Sequence, residues 1–159
     1  MPEPGNDQLY RRGVGMMVLN AAGEVLVCQR CDASAGWQMP QGGIEEGEQP
    51  ETAVLRELKE EIGTNAVTIL AQTKKWLYYD LPGTLQGKAW GGRYIGQRQK
   101  WFLLRFVGDD AEITLATQTP EFRAWKWIPV GHVPDVAVAF KQSMYRAILA
   151  EFRPFVGVP

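Results

Sequence analysis

Glu57, Glu60 and Glu61 stand in a stretch, Gly42 to Gly63, that opens on a glycine pair and closes on a glycine. Pro50 suits the first turn of a helix, where a missing N–H is no loss. Glu48 and Glu51 fall near its positive end, and Gly63 is a left-handed stop. The pattern predicts a helix from about Pro50 to Ile62. At about 100° per residue, with Glu57 at zero, Glu60 falls at about 300° and Glu61 at about 40°. On the same count Val54, Leu58 and Ile62 fall at about 60°, 100° and 140°. One flank is apolar and the neighbouring flank carries three carboxylates.

Like charges three and four residues apart destabilise a helix by a few tenths of a kcal/mol per pair. Two readings account for them. In one, the helix has a solvated acidic face. In the other, the carboxylates hold a hard divalent cation, since Mg²⁺ and Mn²⁺ take oxygen ligands and bind through carboxylates and substrate phosphates. Arg56 has Glu60 four residues on and is placed to fix the array.

The spacing carries more information than the charge. Gly42 is followed after five residues by Glu48, and after seven more by Arg56-Glu57-Leu58-Lys59-Glu60-Glu61-Ile62-Gly63. This resembles the Nudix box, the signature of hydrolases that cleave nucleoside diphosphates linked to another group. The last fixed position departs, with Thr64 where the family usually has an aliphatic residue. The resemblance implies a loop–helix–loop holding Mg²⁺ or Mn²⁺ on Glu57, Glu60 and Glu61, with a backbone carbonyl from the Gly42 loop.

The 159 residues suffice for one domain with a single core. The formal net charge of −1 supplies no global basic field, so neither DNA nor membrane is an expected partner. No apolar run reaches the ~18–20 residues needed to span a bilayer. The first residues carry no basic-then-apolar leader pattern, and the expected compartment is the cytoplasm. Cys28 and Cys31 have Cys-x-x-Cys spacing, but zinc would need two more ligands and the single histidine, His132, is far along the chain. Reduced structural thiols are expected, and His132 reads as a loop residue.

Residues 1–8 read as disordered, followed by one domain over 9–155. Strands are expected over Gly13–Leu19, Glu24–Arg30, Trp37–Gln41, Val67–Tyr79, Lys100–Val107 and Arg123–Ile128. Asp80 to Gly96 reads as a long Gly-rich loop, a functional or mobile type. Val136, Phe140, Met144, Ile148 and Phe152 recur every four residues, predicting a helix from about Asp135, as cap, to Phe152. Two helices and about six strands resemble the α+β Nudix fold, an α/β/α sandwich with a mixed sheet between helices.

Outside the box, Tyr10-Arg11, Trp37-Gln-Met-Pro-Gln-Gly-Gly43, Trp76-Leu77-x-Tyr79, Ile95-Gly-Gln-x-Gln-Lys-Trp-Phe, Thr119-Pro-Glu-Phe122 and Phe140-Lys141 resemble one branch. It contains the bacterial RNA 5′-pyrophosphohydrolases and the plant-type diadenosine tetraphosphate hydrolases. Tyr79 and Phe140 adjoin polar or basic residues and are candidates to stack a base, worth roughly 1–3 kcal/mol per base. Trp101 and Phe102 read as core; Trp76, Trp125 and Trp127 fit core or site. Arg11, Arg30 and Lys141 are candidate phosphate contacts or members of a solvated face. The resemblance implies that Arg11 grips the 5′ phosphates, that Arg30 and Phe140 sandwich a base, and that Glu121 lies over the metal cluster, completing it or acting as base. The general base stays open among the box carboxylates and Glu121. The expected reaction is metal-dependent hydrolysis within a polyphosphate chain, on 5′-triphosphorylated RNA or a dinucleoside tetraphosphate. A broader nucleotide-sugar or nucleoside triphosphate hydrolase, and a non-catalytic binding module, are the alternatives.

Overall fold

In the computed structural model, residues 8–31, 36–117 and 120–156 are described. The expectation for residues 1–8 lies outside them except at Gln8, which stands with Leu9 in a 3-10 turn before β1. The strands are β1 (Tyr10–Leu19), β2 (Glu24–Arg30), β3 (Trp37–Gln38) and β4 (Gln41–Gly43). Helix α1 (Pro50–Ile62) follows, then β5 (Val67–Gln72), β6 (Leu77–Asp80), a short α2 (Gly83–Gln86) and β7 (Gly96–Phe106). The chain ends with β8 (Phe122–Pro129), a short α3 (Val133–Val136) and α4 (Ala139–Phe152).

All eight strands form one mixed sheet. β1 and β7 run parallel over the full length of β1, and the other pairings are antiparallel. Alternation along the strands sorts the core into two layers. Val14, Met16, Val18, Leu26, Phe102 and Leu104 face α1. Met17, Leu19, Val25, Val27, Trp101 and Leu103 face α4. Ala53, Val54, Leu58 and Ile62 of α1 are fully buried, which favours docking by roughly 1.5–3 kcal/mol for each large side chain.

The sheet is split where the site lies. β1 and β2 pair at Leu19 and Val25 and then separate. β3 pairs with Cys28 and Gln29 on one side of the split. β4 pairs with Gly13–Gly15 on the other, and the Met16 N–H donates to the Pro40 carbonyl at 2.9 Å. Glycine makes this approach possible: a Cβ on Gly13 would press on the Gly42 carbonyl, and on the β7 side a Cβ on Gly15 would fall inside the Trp101 indole.

The helix over Pro50–Ile62 has the predicted bounds, and Gly63 closes it at φ 80° with its N–H bonded to the Lys59 carbonyl. Other expectations are corrected. The strand expected over Trp37–Gln41 parts into β3 and β4, which pair with different strands. The strand expected over Val67–Tyr79 breaks into β5 and β6, both paired with β7. Four residues, 73–76, stand opposite two of β7, because Gln72 pairs with Phe102 and Leu77 with Gln99. The buried Thr73 holds the break, its N–H donating to the Trp101 carbonyl and its hydroxyl accepting from the Trp101 N–H. The helix expected over Asp135–Phe152 is interrupted: Ala137 and Val138 are extended, at ψ 156° and 152°. Asp135 therefore lies in the first turn of α3, behind Pro134, and Val138 precedes α4. Asp80–Gly96 contains α2 and a 3-10 turn over Ala89–Gly92.

Thr64, the departure from the box, is buried, and its hydroxyl donates to Glu112 and accepts from the Ala66 N–H. Its polarity is thus satisfied where an aliphatic side chain would otherwise pack.

Candidate active site

Helix α1 aims Glu57 and Glu61 through the split in the sheet. Glycine again sets the distance: a Cβ on Gly42 would coincide with the Glu57 carboxylate. Glu61 is 7% exposed and its Oε2 has no hydrogen-bond partner. Burial pushes its carboxyl well above the usual range, and the Glu121 and Glu57 carboxylates add to the rise while Arg30 opposes it. Burial also raises Glu57, against the hydrogen bond from Arg56. Glu121 arrives from the other side of the split. Its carbonyl accepts from the Cys31 N–H at 2.8 Å, beside the register shift between Gln29 and Arg30.

Arg56 ties this floor together. Its Nε and Nη2 each donate to the Glu48 carboxylate at 2.8 Å. Nη2 also reaches the Gly43 carbonyl at 3.0 Å, and Nη1 reaches Glu57 at 2.9 Å and Glu60 at 3.2 Å. Glu60 is exposed, at 57% of its side chain, and does not line the cleft.

Above the floor is a cleft of ≈ 510 Å³ lined by Arg11, Arg30, Tyr79, Phe140 and Lys141 as well as Gly42, Glu57, Glu61 and Glu121. One wall is a row in register across three strands, Arg11 on β1, Gln97 on β7 and Tyr79 on β6. The adjoining wall is the start of α4. Lys141 is 5% exposed, and its ammonium donates to Gln38 and Gln41 at 3.3 and 3.2 Å. Gln41 donates in turn to the Tyr79 hydroxyl at 3.1 Å. Tyr79 and Phe140 rings lie 5.8 Å apart, tilted by 39°. The interruption before α4 lets Phe140, still 36% exposed, face the cleft instead of the core.

Among the described residues, no three His, Cys, Asp or Glu side chains are already gathered around one centre. The chemistry of the donors nonetheless fits a hard cation. The orphaned Glu61 oxygen, the burial and neighbouring carboxylates that raise Glu61, and the oxygen-only set all call for a divalent ion.

The NUDIX domain profile matches residues 9–148. The chain belongs to the Nudix family. The RNA pyrophosphohydrolase of Rhodospirillum rubrum is 53% identical over 146 residues, covering 92% of this chain and 88% of the relative. That of Sphingopyxis alaskensis is 49% identical over 150 residues, covering 92% and 95%. A C. elegans Ap4A hydrolase in a binary complex superposes with a TM-score of 0.64 at 24% identity, covering 90% of this chain and 99% of that one. The protein is therefore a Nudix hydrolase of α+β fold, from a family whose members generally need divalent metal ions.

In this Nudix chain the cleft brings together nine of the ten site residues read from the sequence, leaving Glu60 at the rim. Three buried polar residues, Gln38, Gln97 and Gln99, were assigned no role on sequence grounds. The Trp101 indole N–H donates to Gln99, whose amide donates to Gln97, so the Gln97 amide is oriented from the core outward. For Gln97 and Gln99 the signal in the sequence is polar alternation just ahead of the apolar run of Trp101–Leu104, and β7 extends back to include them. Trp101 and Phe102 are core, as expected. Trp76 lies beneath Arg98 and Lys100, while Trp125 and Trp127 pack beside the α1 layer. Cys28 and Cys31 are free thiols, and His132 is exposed away from the cleft.

Proposed function

We propose that this Nudix hydrolase cleaves within the phosphate chain of 5′-triphosphorylated RNA, releasing pyrophosphate, and that dinucleoside tetraphosphates enter the same cleft. The observation that carries this reading is the juxtaposition, in one ≈ 510 Å³ cleft, of a carboxylate floor with cationic and aromatic walls. The two relatives at 53% and 49% identity bear the name RNA pyrophosphohydrolase, which supports the RNA substrate over the dinucleotide.

Glu57, Glu61 and Glu121, with the Gly42 carbonyl, would hold Mg²⁺ or Mn²⁺. Glu60 would join them by exchanging its bond to Arg56. Once bound, the ion neutralises phosphate oxygens and polarises the phosphorus. Arg11 binds the terminal phosphates, and the Lys141 ammonium, fixed by Gln38 and Gln41, lies along the phosphate chain. Arg30 and Phe140 sandwich a base, and Tyr79 packs against Phe140. Glu57 or Glu121 accepts the proton of the attacking water. Oriented phosphorus and oriented carboxylate together supply the entropic part of the acceleration. In the cytoplasm this activity would convert a triphosphorylated RNA end to a monophosphorylated one and so take part in mRNA decay.

The deciding experiment compares kcat/KM for 5′-triphosphorylated RNA and diadenosine tetraphosphate with Mg²⁺ and with Mn²⁺. The reading requires release of pyrophosphate from RNA. Turnover of small nucleotides alone would replace it with a general nucleotide hydrolase.

A further inference from the structure

Trp90 is the non-glycine residue with a left-handed backbone among those described, at φ 51° and ψ 37°. Gly91 and Gly92 follow at φ 71° and 74°, so a left-handed corner of three residues projects one bulky side chain. A left-handed conformation costs an aromatic residue roughly 1–2 kcal/mol and persists only where surrounding contacts hold it. Those contacts lie at the cleft. Trp90 lines it, its ring packs edge-on against Tyr94 at 6.2 Å, and the Arg11 guanidinium lies over its indole at 5.3 Å. The guanidinium is confined on a second side as well, since a Cβ on Gly43 would collide with its Nη2.

We propose that Trp90 is a positioning residue: with Gly43 it clamps the Arg11 guanidinium so that its N–H edge is presented to the terminal phosphates of a 5′-polyphosphate. This rests on the reading of Arg11 as the phosphate grip. An unclamped arginine has several rotatable bonds to freeze on each binding event. Stacking on an indole freezes them beforehand and leaves the in-plane donors available, since the ring engages the face of the cation and not its edge. The left-handed corner is the means by which a short loop brings a large ring over Arg11.

The test is the dissociation constant of inorganic tripolyphosphate in metal-free buffer, alongside kcat and KM on 5′-triphosphorylated RNA with Mg²⁺. Trp90→Ala is expected to weaken tripolyphosphate and raise KM by about three- to thirtyfold while kcat stays within about twofold, the range of a partly desolvated cation–π contact. Trp90→Phe should recover most of the loss. Trp90→Gly, which relieves the backbone, should melt no lower than Trp90→Ala yet bind as poorly. In an Arg11→Ala background, Trp90→Ala should add nothing. Wild-type binding by Trp90→Ala, no recovery in Trp90→Phe, or an undiminished effect without Arg11 would overturn the clamp. If the unaltered protein leaves triphosphorylated RNA intact while the binding series behaves as stated, the clamp stands and the RNA reading fails.

Discussion

Arg56 and Glu48 are joined by two parallel hydrogen bonds, Nε to Oε2 and Nη2 to Oε1, each 2.8 Å. The pair locks the loop before α1 to the middle of that helix, while a third donor of the same guanidinium orients Glu57. Lysine cannot reproduce this fork. Arg56→Lys is therefore expected to lower stability by about 1.5–3 kcal/mol in urea denaturation, the worth of charge-assisted hydrogen bonds. It should lower kcat as well, because Glu57 loses its brace.

The glycines separate fold from chemistry. The Cβ of Gly42→Ala meets the free end of Glu57, which can move aside, whereas that of Gly15→Ala meets the fully buried Trp101 ring. Gly42→Ala should keep a melting temperature close to wild type and lose at least about tenfold in kcat, given how steeply misplacement costs rate. Gly15→Ala should lose about 1–3 kcal/mol or more of stability, as an overpacked core does.

The carboxylates are expected to rank by position. Glu57→Gln and Glu61→Gln should each reduce kcat by about 10²-fold or more, the scale of losing a preorganised electrostatic contact. Glu60→Gln, at the rim, should cost less. Glu121→Ala should lower kcat far more than it raises KM; an effect on KM alone would remove Glu121 from the chemistry. Full activity in both Glu57→Gln and Glu60→Gln would refute the metal site.

Two glutamates give the metal-free protein opposed pH dependences. Arg56 holds the Glu48 carboxyl at about 2, so its stabilisation is complete above the unfolded value of about 4.5 and fades as pH falls toward 2. Glu61 is shifted the other way, chiefly by burial. Its folded form keeps a proton that the unfolded chain releases, so stability declines as pH rises above about 4.5. Melting temperatures in EDTA should therefore fall as pH rises from about 4.5 to about 9, and Glu61→Gln should flatten that limb. Added Mg²⁺ or Mn²⁺ should reverse the decline, since the cation takes the place of the proton.

Helix α1 was legible to the residue because its signals are local: Pro50 at one end, Gly63 at the other, and an apolar flank between. The same holds for the box carboxylates, whose spacing is a helical fact. The breaks at Thr73–Trp76 and Ala137–Val138 were not legible, since each depends on partners distant in sequence. Thr73 is held by Trp101, and Val138 is extended where α4 meets the cleft. Gln97 and Trp90 were missed for the same reason: one acquires its role from a strand pairing, the other from a backbone corner whose only local sign is the Gly91–Gly92 pair.

The split between β1 and β2 has a further consequence. Glu57 and Glu61 reach the cleft from α1 and Glu121 from the residue before β8, while Tyr79, Phe140 and Lys141 come from β6 and α4. Mutations in β6 and α4 can thus retune selectivity while the three carboxylates keep their places.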